Sequence, residues 1–155
     1  MKMSKTRLFV SKKLSANILI YIKNKQHHFL KNVLRIKKED SINLFDGFTG
    51  EWLSKVISIN RDNIVLQIQN KLRDIPQETD LWLIFAPIKS YRMNITIQKA
   101  TELGISRFIP ILTEYTNQSK INFKNFELNM IEASEQSERL SIPTLEKTIK
   151  LDDLV

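Results

Sequence analysis

The stretch RMNITIQKATELGISRFIPILTE, Arg92 to Glu114, decides how the rest of the chain is arranged. At a period of 3.6 residues, Met93, Ile97, Ala100 and the neighbouring Leu103 fall on one side of a helix, and Asn94, Gln98, Thr101 and Glu102 gather on another. Gly104 sits where a left-handed residue would end that helix. The run Arg107-Phe-Ile-Pro-Ile-Leu112 then reads as a short buried strand. Upstream, Leu81-Trp-Leu-Ile-Phe-Ala86 is a second such run. Strand, helix, strand is a βαβ unit, the seed of a parallel α/β sheet.

The 155 residues, 42% hydrophobic and 26% charged, are enough for one ordinary core or two small ones. No apolar run is long enough to cross a bilayer, and the start MKMSKTRLFV lacks a signal-peptide core. The expected setting is therefore cytoplasmic. With no cysteine, the chain has no disulfide, thiolate metal site or thiol nucleophile, and its two histidines are the groups left for proton transfer near neutral pH. The net charge of +7 is unevenly spread. Through Arg73 there are fifteen lysines and arginines against five acids, and from Asp74 onward nine against twelve. A cationic module joined to a mildly acidic one suits a nucleic-acid grip attached to something else.

In the cationic part, Leu8–Val10, Ile18–Ile22, Ser41–Asp46, Glu51–Ile59 and Asn63–Gln69 read as short strands of a small barrel. Ile64, Leu66 and Ile68 alternate with Val65, Gln67 and Gln69, which buries one face. Asp46 to Gly50 and Asn60 to Asn63 supply turns. A helix is expected over Gln26–Leu34, with Phe29, Leu30, Val33 and Leu34 on one face. Residues 74–80, with Pro76 and several charges, read as a linker. Beyond the βαβ unit a helix is expected from about Lys124 to Leu140, with Phe126, Met130, Ala133 and Ser137 along one side and Pro143 as its stop. Thr144 to Ile149 reads as a third strand.

Few residues stand out for chemistry. His27 and His28 are adjacent, point about 100° apart on a helix and have no evident third ligand, which is poor chelating geometry; no metal is expected. Gly47 and Gly50 serve a hairpin and Gly104 a helix end, so no glycine cluster forms a cofactor loop. Glu114 follows a strand in an open α/β sheet, where ligand crevices form. Glu135 and Arg139 lie four apart on a helix, a spacing equally suited to a local ion pair.

Two separated blocks, KATELGISRFIPILTE (Lys99 to Glu114) and EASEQSERLSIP (Glu132 to Pro143), resemble the signatures of the bacterial RsmE family. Further matches are RLFV (Arg7 to Val10), HHFLKNVLR (His27 to Arg35) and LFDGFTGEW (Leu44 to Trp52). The resemblance implies S-adenosylmethionine-dependent methylation of N3 of a uridine in 16S ribosomal RNA. It implies an α+β chain with two domains: a PUA-like RNA-binding β-barrel over residues 1–73, and, after the linker, the first part of a SPOUT-type, Rossmann-like α/β methyltransferase domain over 81–155. The family's trefoil knot, its glycine-rich cofactor loop and its dimer contacts lie downstream, so no cofactor-binding residue is assigned. The expected partners are 16S rRNA or the 30S subunit and a separate C-terminal half. Arg7, His28, Arg35, Lys37, Lys38, Arg92 and Lys99 are the expected RNA contacts, with Lys5 adding nonspecific attraction. Glu114 and Arg139 are candidates for the substrate pocket. Uridine N3 must lose a proton, which calls for a base or a charge-stabilising cation. The competing reading is a non-catalytic rRNA-binding remnant.

Overall fold

The computed structural model describes residues 6–116 and 121–154, so Lys5 lies outside the described residues. The chain divides into two compact units, Met1–Ile75 and Pro76–Val155.

In the first unit, β1 (Arg7–Phe9), β2 (Leu19–Ile22), β3 (Ser41–Phe45), β4 (Glu51–Ile59) and β5 (Ile64–Arg73) form one sheet in the order β1-β3-β4-β5-β2. Only β1 and β3 run parallel. The period-two pattern shows directly in β2, where Ile20 and Ile22 are buried and Leu19 and Tyr21 are exposed. Leu8, Ile20, Ile22, Ile42, Leu44, Val56, Ile64, Leu66 and Ile68 bring all five strands into one core, joined by Leu14 and Leu30. Among the described residues no ladder joins β1 to β2, so the sheet encloses its core without closing its hydrogen-bond path.

Two turns hold the register. Asp46 accepts the backbone N–H groups of Leu14, Phe48 and Thr49 and the Thr49 hydroxyl, at 2.6 to 2.8 Å. Gly50 has φ +109°, and a Cβ there would lie 2.3 Å from the Arg73 carbonyl oxygen, so the close approach of β4 to the end of β5 requires glycine.

The helix expected over Gln26–Leu34 is not one regular helix. α1 (Asn24–His28) passes into a wider turn over Phe29–Val33, closed by Leu34 N–H donating to the Phe29 carbonyl at 3.0 Å, an i to i+5 bond. The wider winding breaks the 3.6 periodicity. Only Leu30 of the four expected apolar residues is buried, while Phe29, Val33 and Leu34 remain exposed.

The second unit holds β6 (Trp82–Phe85), α2 (Ser90–Glu102), β7 (Arg107–Leu112), α3 (Phe123–Gln136), β8 (Thr144–Leu145) and β9 (Ile149–Lys150). All its ladders are parallel, and β7 is central, with β6 on one side and β8 and β9 both pairing with it. The expected third strand is thus two short pieces. Both helices cover one face of the sheet: Met93, Ile97, Phe126 and Met130 cluster with Phe108, Leu83, Phe85 and Leu145. Trp82 and Ile84, the alternate positions of β6, are 47% and 43% exposed.

Two helix readings change. On α2 the buried positions are Met93, Ile97 and Thr101, and Leu103 is 83% exposed. The helix ends at Glu102, Gly104 takes φ +96°, and Ile105 rather than Leu103 enters the core. α3 stops at Gln136, well before Pro143, because Glu138 adopts φ +61°. Ser134, rather than Ser137, completes its buried face.

Candidate nucleic-acid interface and sheet-edge crevice

Of the expected RNA contacts in the first unit, Arg35, Lys37, Lys38 and His28 are exposed. They flank the wide turn after α1 and extend to the start of β3. Among the described residues, the Arg35 and Lys37 side chains have no bonded partner, and the Glu39 carboxyl is held below its ordinary value chiefly by its bond from Lys55, with the Lys38 charge adding to it. His27 sits with Lys31 at the β4–β5 turn, where both reach the Asn60 carbonyl, at 3.3 and 3.0 Å.

Arg7 is placed differently. It is buried, its Nε donates to Glu51 Oε1 at 2.7 Å, and its guanidinium lies 5.0 Å from the Phe45 ring centroid. Glu51 also accepts from Arg73 Nε at 2.6 Å and Asn43 Nδ2 at 3.2 Å. One carboxylate therefore ties β1, β3, β4 and β5. Burial pushes the Glu51 carboxyl up, but the bonds from Arg7 and Arg73 outweigh it and hold the group below the usual range. This inward geometry gives Arg7 the work of fixing the strands.

Arg139 is likewise enclosed. Its Nε and Nη2 reach the two Glu78 carboxylate oxygens at 3.2 and 2.7 Å, and its Nη1 donates to the carbonyls of Thr101 and Ile105 at 3.0 and 2.7 Å. Ser141 Oγ donates to Glu78 at 2.6 Å. Desolvation raises the Glu78 carboxyl, and the Arg139 and Ser141 bonds together bring it below its ordinary value. Arg139 thus clasps the segment entering the unit to the C-terminal end of α2. The 74–80 stretch has neither helix nor strand, yet Glu78 anchors it, and Asp80 accepts from Ser106 Oγ at 2.7 Å. Arg139, a candidate for the substrate pocket, is here engaged in this clasp. Because α3 ends before it, Arg139 is not on the helix assumed for an i,i+4 pair with Glu135.

Past the carboxyl end of β6, beside the starts of α2 and α3, lies a cleft of about 130 Å³ lined by Pro87, Ser90, Met93, Asn94, Asn122 and Phe126, among others. Three asparagines line it, Asn94, Asn122 and Asn125: Asn122 Oδ1 caps α3 by accepting from Asn125 N–H at 3.1 Å, and Asn125 Nδ2 donates to Asn94 Oδ1 at 3.0 Å, while Asn129 Nδ2 holds the Asn94 carbonyl at 2.8 Å. Glu114 is exposed in the turn after β7, and Arg92 is exposed near the start of α2. Lys99 pairs with Glu102 at 2.8 Å on the α2 surface. The structure thus sets Glu114 at the carboxyl edge but does not join it to Arg139. Asn122, Asn125 and Asn129 were missed; the Asn122 cap alone left a sequence signal, an asparagine directly before the helix. Among the described residues no three metal-ligating side chains cluster, and no helix is long and apolar enough to cross a membrane.

A cationic β unit followed by a parallel α/β unit makes this a two-unit α+β protein whose charge suits an anionic partner. Comparison with known proteins gives the class a family. The profile of the RNA methyltransferase domain matches residues 76–155, and that of the RNA methyltransferase PUA domain matches 22–69. The ribosomal RNA small subunit methyltransferase E of Rickettsia conorii is 34% identical over 152 residues, which cover 97% of this chain and 62% of that protein. Its namesake from Buchnera aphidicola subsp. Schizaphis graminum is 27% identical over 155 residues, covering 94% and 62%. Among solved structures, the methyltransferase E of Neisseria gonorrhoeae bound to S-adenosyl methionine superimposes with a TM-score of 0.86 at 22% identity, covering 99% of this chain and 65% of that one. This chain belongs to the RNA methyltransferase family, as its two signature blocks imply. It spans about 62% of the length of the curated relatives it matches.

Proposed function

We propose that this chain serves S-adenosylmethionine-dependent methylation of uridine N3 in 16S ribosomal RNA, in the cytoplasm. The observation that carries the reading is the collinear match along nearly the whole chain to relatives named as small-subunit rRNA methyltransferases. Residues 1–73 act as the PUA-like RNA-binding domain, 74–80 as the connector, and 81–155 as the first part of a SPOUT-type domain whose knot and donor pocket come from further residues, in the same or a separate polypeptide.

The donor, when bound, supplies an electrophilic methyl group. The cleft beside α2 and α3 does not fit it. Small-molecule sites usually enclose about 300–1,000 Å³; the cleft beside α2 and α3 measures about 130 Å³. Nor do the glycines make a cradle: a Cβ on Gly50 would meet the chain's own Arg73 backbone, and one on Gly104 would meet nothing within 4 Å. No step is therefore routed through the donor. What these residues supply is RNA binding and orientation. Arg35, Lys37, Lys38 and His28 hold phosphates of the incoming rRNA, and Arg92 and Lys99 add positive charge along α2. Glu114, at the carboxyl edge, is the group here best placed to accept the N3 proton once the site is complete.

Small subunits lacking the modification, incubated with labelled methyl donor and this chain, are the test. Transfer is expected only when the remaining third of a relative is added. Persistent inactivity of the mixture, with the rRNA still bound, would leave only the non-catalytic RNA-binding reading.

A further inference from the structure

The wide turn over Phe29–Val33 presents a feature that phosphate binding does not use. Leu30 is its buried anchor, fully removed from solvent. Phe29, Val33 and Leu34 are 39%, 60% and 39% exposed. The bond from Leu34 N–H to the Phe29 carbonyl closes the turn, and the aromatic ring and the two aliphatic side chains stay exposed on the element that buries Leu30. Such i to i+5 turns recur at functional sites. Arg35 follows with φ +52°, a conformation that non-glycine residues seldom adopt.

The surroundings select the occupant. Residues 1–38 contain eleven lysines and arginines and no acid; the first carboxylate is Glu39. A second copy docking here would bring two strongly cationic surfaces together. An unpaired nucleotide offers the complement: an apolar base plane for Phe29, Val33 and Leu34, and a phosphate on each side for His28, Arg35 and Lys37. Duplex RNA keeps its base planes stacked and its backbone outward, so it engages the cations alone.

We propose that Phe29, Val33 and Leu34 form a stacking platform for an unpaired base, so that this chain selects single-stranded RNA over duplex. The inference rests on the RNA-binding reading above and names the form of RNA which that surface takes.

Anisotropy titrations of the full chain with a short unstructured oligoribonucleotide and with a duplex of equal length, each over a range of salt, test it. Phe29→Ala is expected to weaken single-strand binding roughly tenfold, the scale of one stacked base, and to leave duplex binding and the salt slope unchanged. Val33→Ser, at the most exposed position, is expected to act in the same direction by a smaller factor, and an unchanged thermal unfolding midpoint separates that loss from misfolding. Lowering the charge with Lys37→Ala is expected to reduce the salt slope on both RNAs. Equal losses on both RNAs, no loss with either variant, or a dimer that Val33→Glu converts to monomer would overturn the platform; the last result would make the turn a self-association surface. No salt-dependent binding to either RNA would instead remove the RNA-binding reading beneath it.

Discussion

Each unit closes on a buried arginine–glutamate clasp, and the two clasps differ in what they hold. In the first unit, Glu51 gathers Arg7, Arg73 and Asn43, so one carboxylate pins four strands around a core that draws on the whole sheet. In the second, Arg139 holds Glu78 and two carbonyls at the end of α2, fastening an entering segment to a sheet with helices on one face and half-exposed Trp82 and Ile84 on the other. The first unit is secured strand to strand and has the makings of a self-sufficient fold. The second is secured at its edge and leaves apolar surface outside its core.

The largest effect is expected from breaking the first clasp. Glu51→Ala removes the buried carboxylate that Arg7, Arg73 and Asn43 share, which should cost roughly 3–5 kcal/mol and melt the first unit well before the second in urea followed by amide exchange. Simultaneous loss of both units would show that they do not stand apart energetically. Arg139→Ala should cost less, about 2–4 kcal/mol, because Glu78 keeps about a quarter of its side chain in solvent. Its exchange should quicken around Thr101, Ile105 and residues 76–80 while β1 to β5 keep their protection.

Acid should act on both clasps. Glu51 and Glu78 have folded pKa values below their ordinary ones. Their stabilisation is therefore complete above the unfolded carboxyl value of about 4.3 and is lost as pH falls through the lower folded value. Urea midpoints should stay level through mild acidity and drop below about pH 4, and Glu78→Gln should flatten the decline in the second unit only. The smallest effect is expected at the exposed face of β6. Ile84→Ser should change stability by less than about 0.5 kcal/mol and lower the tendency to self-associate in sedimentation. Unchanged sedimentation would show that this face is not a sticky one.

Local pattern accounts for what was legible in the sequence. β4 at Glu51–Ile59 and β7 at Arg107–Leu112 coincide with the runs read from the chain, and Gly104 takes the left-handed conformation its place implied. The order β6, α2, β7 was legible from two apolar runs, the helical period between them and Gly104. The misreadings share a cause. A 3.6-residue period cannot foresee an i to i+5 turn, so Phe29, Leu30, Val33 and Leu34 were read as one face of a regular helix. Glu138 ends α3 by a left-handed turn without glycine or asparagine to announce it. Arg7 and Arg139 find carboxylates 44 and 61 residues away, and no local rule separates an arginine that faces RNA from one that faces such a partner. Three-dimensional pairing, which local pattern does not carry, sets what Arg7 and Arg139 hold.

The central claim is that these residues hold ribosomal RNA while the methyl donor is held elsewhere. Equilibrium dialysis of the chain against labelled S-adenosylmethionine and a small-subunit rRNA fragment in parallel tests both halves at once. The expected result is salt-sensitive retention of the RNA with no retention of the donor. Saturable donor binding by the chain alone, or failure to retain the RNA at low salt, would contradict it.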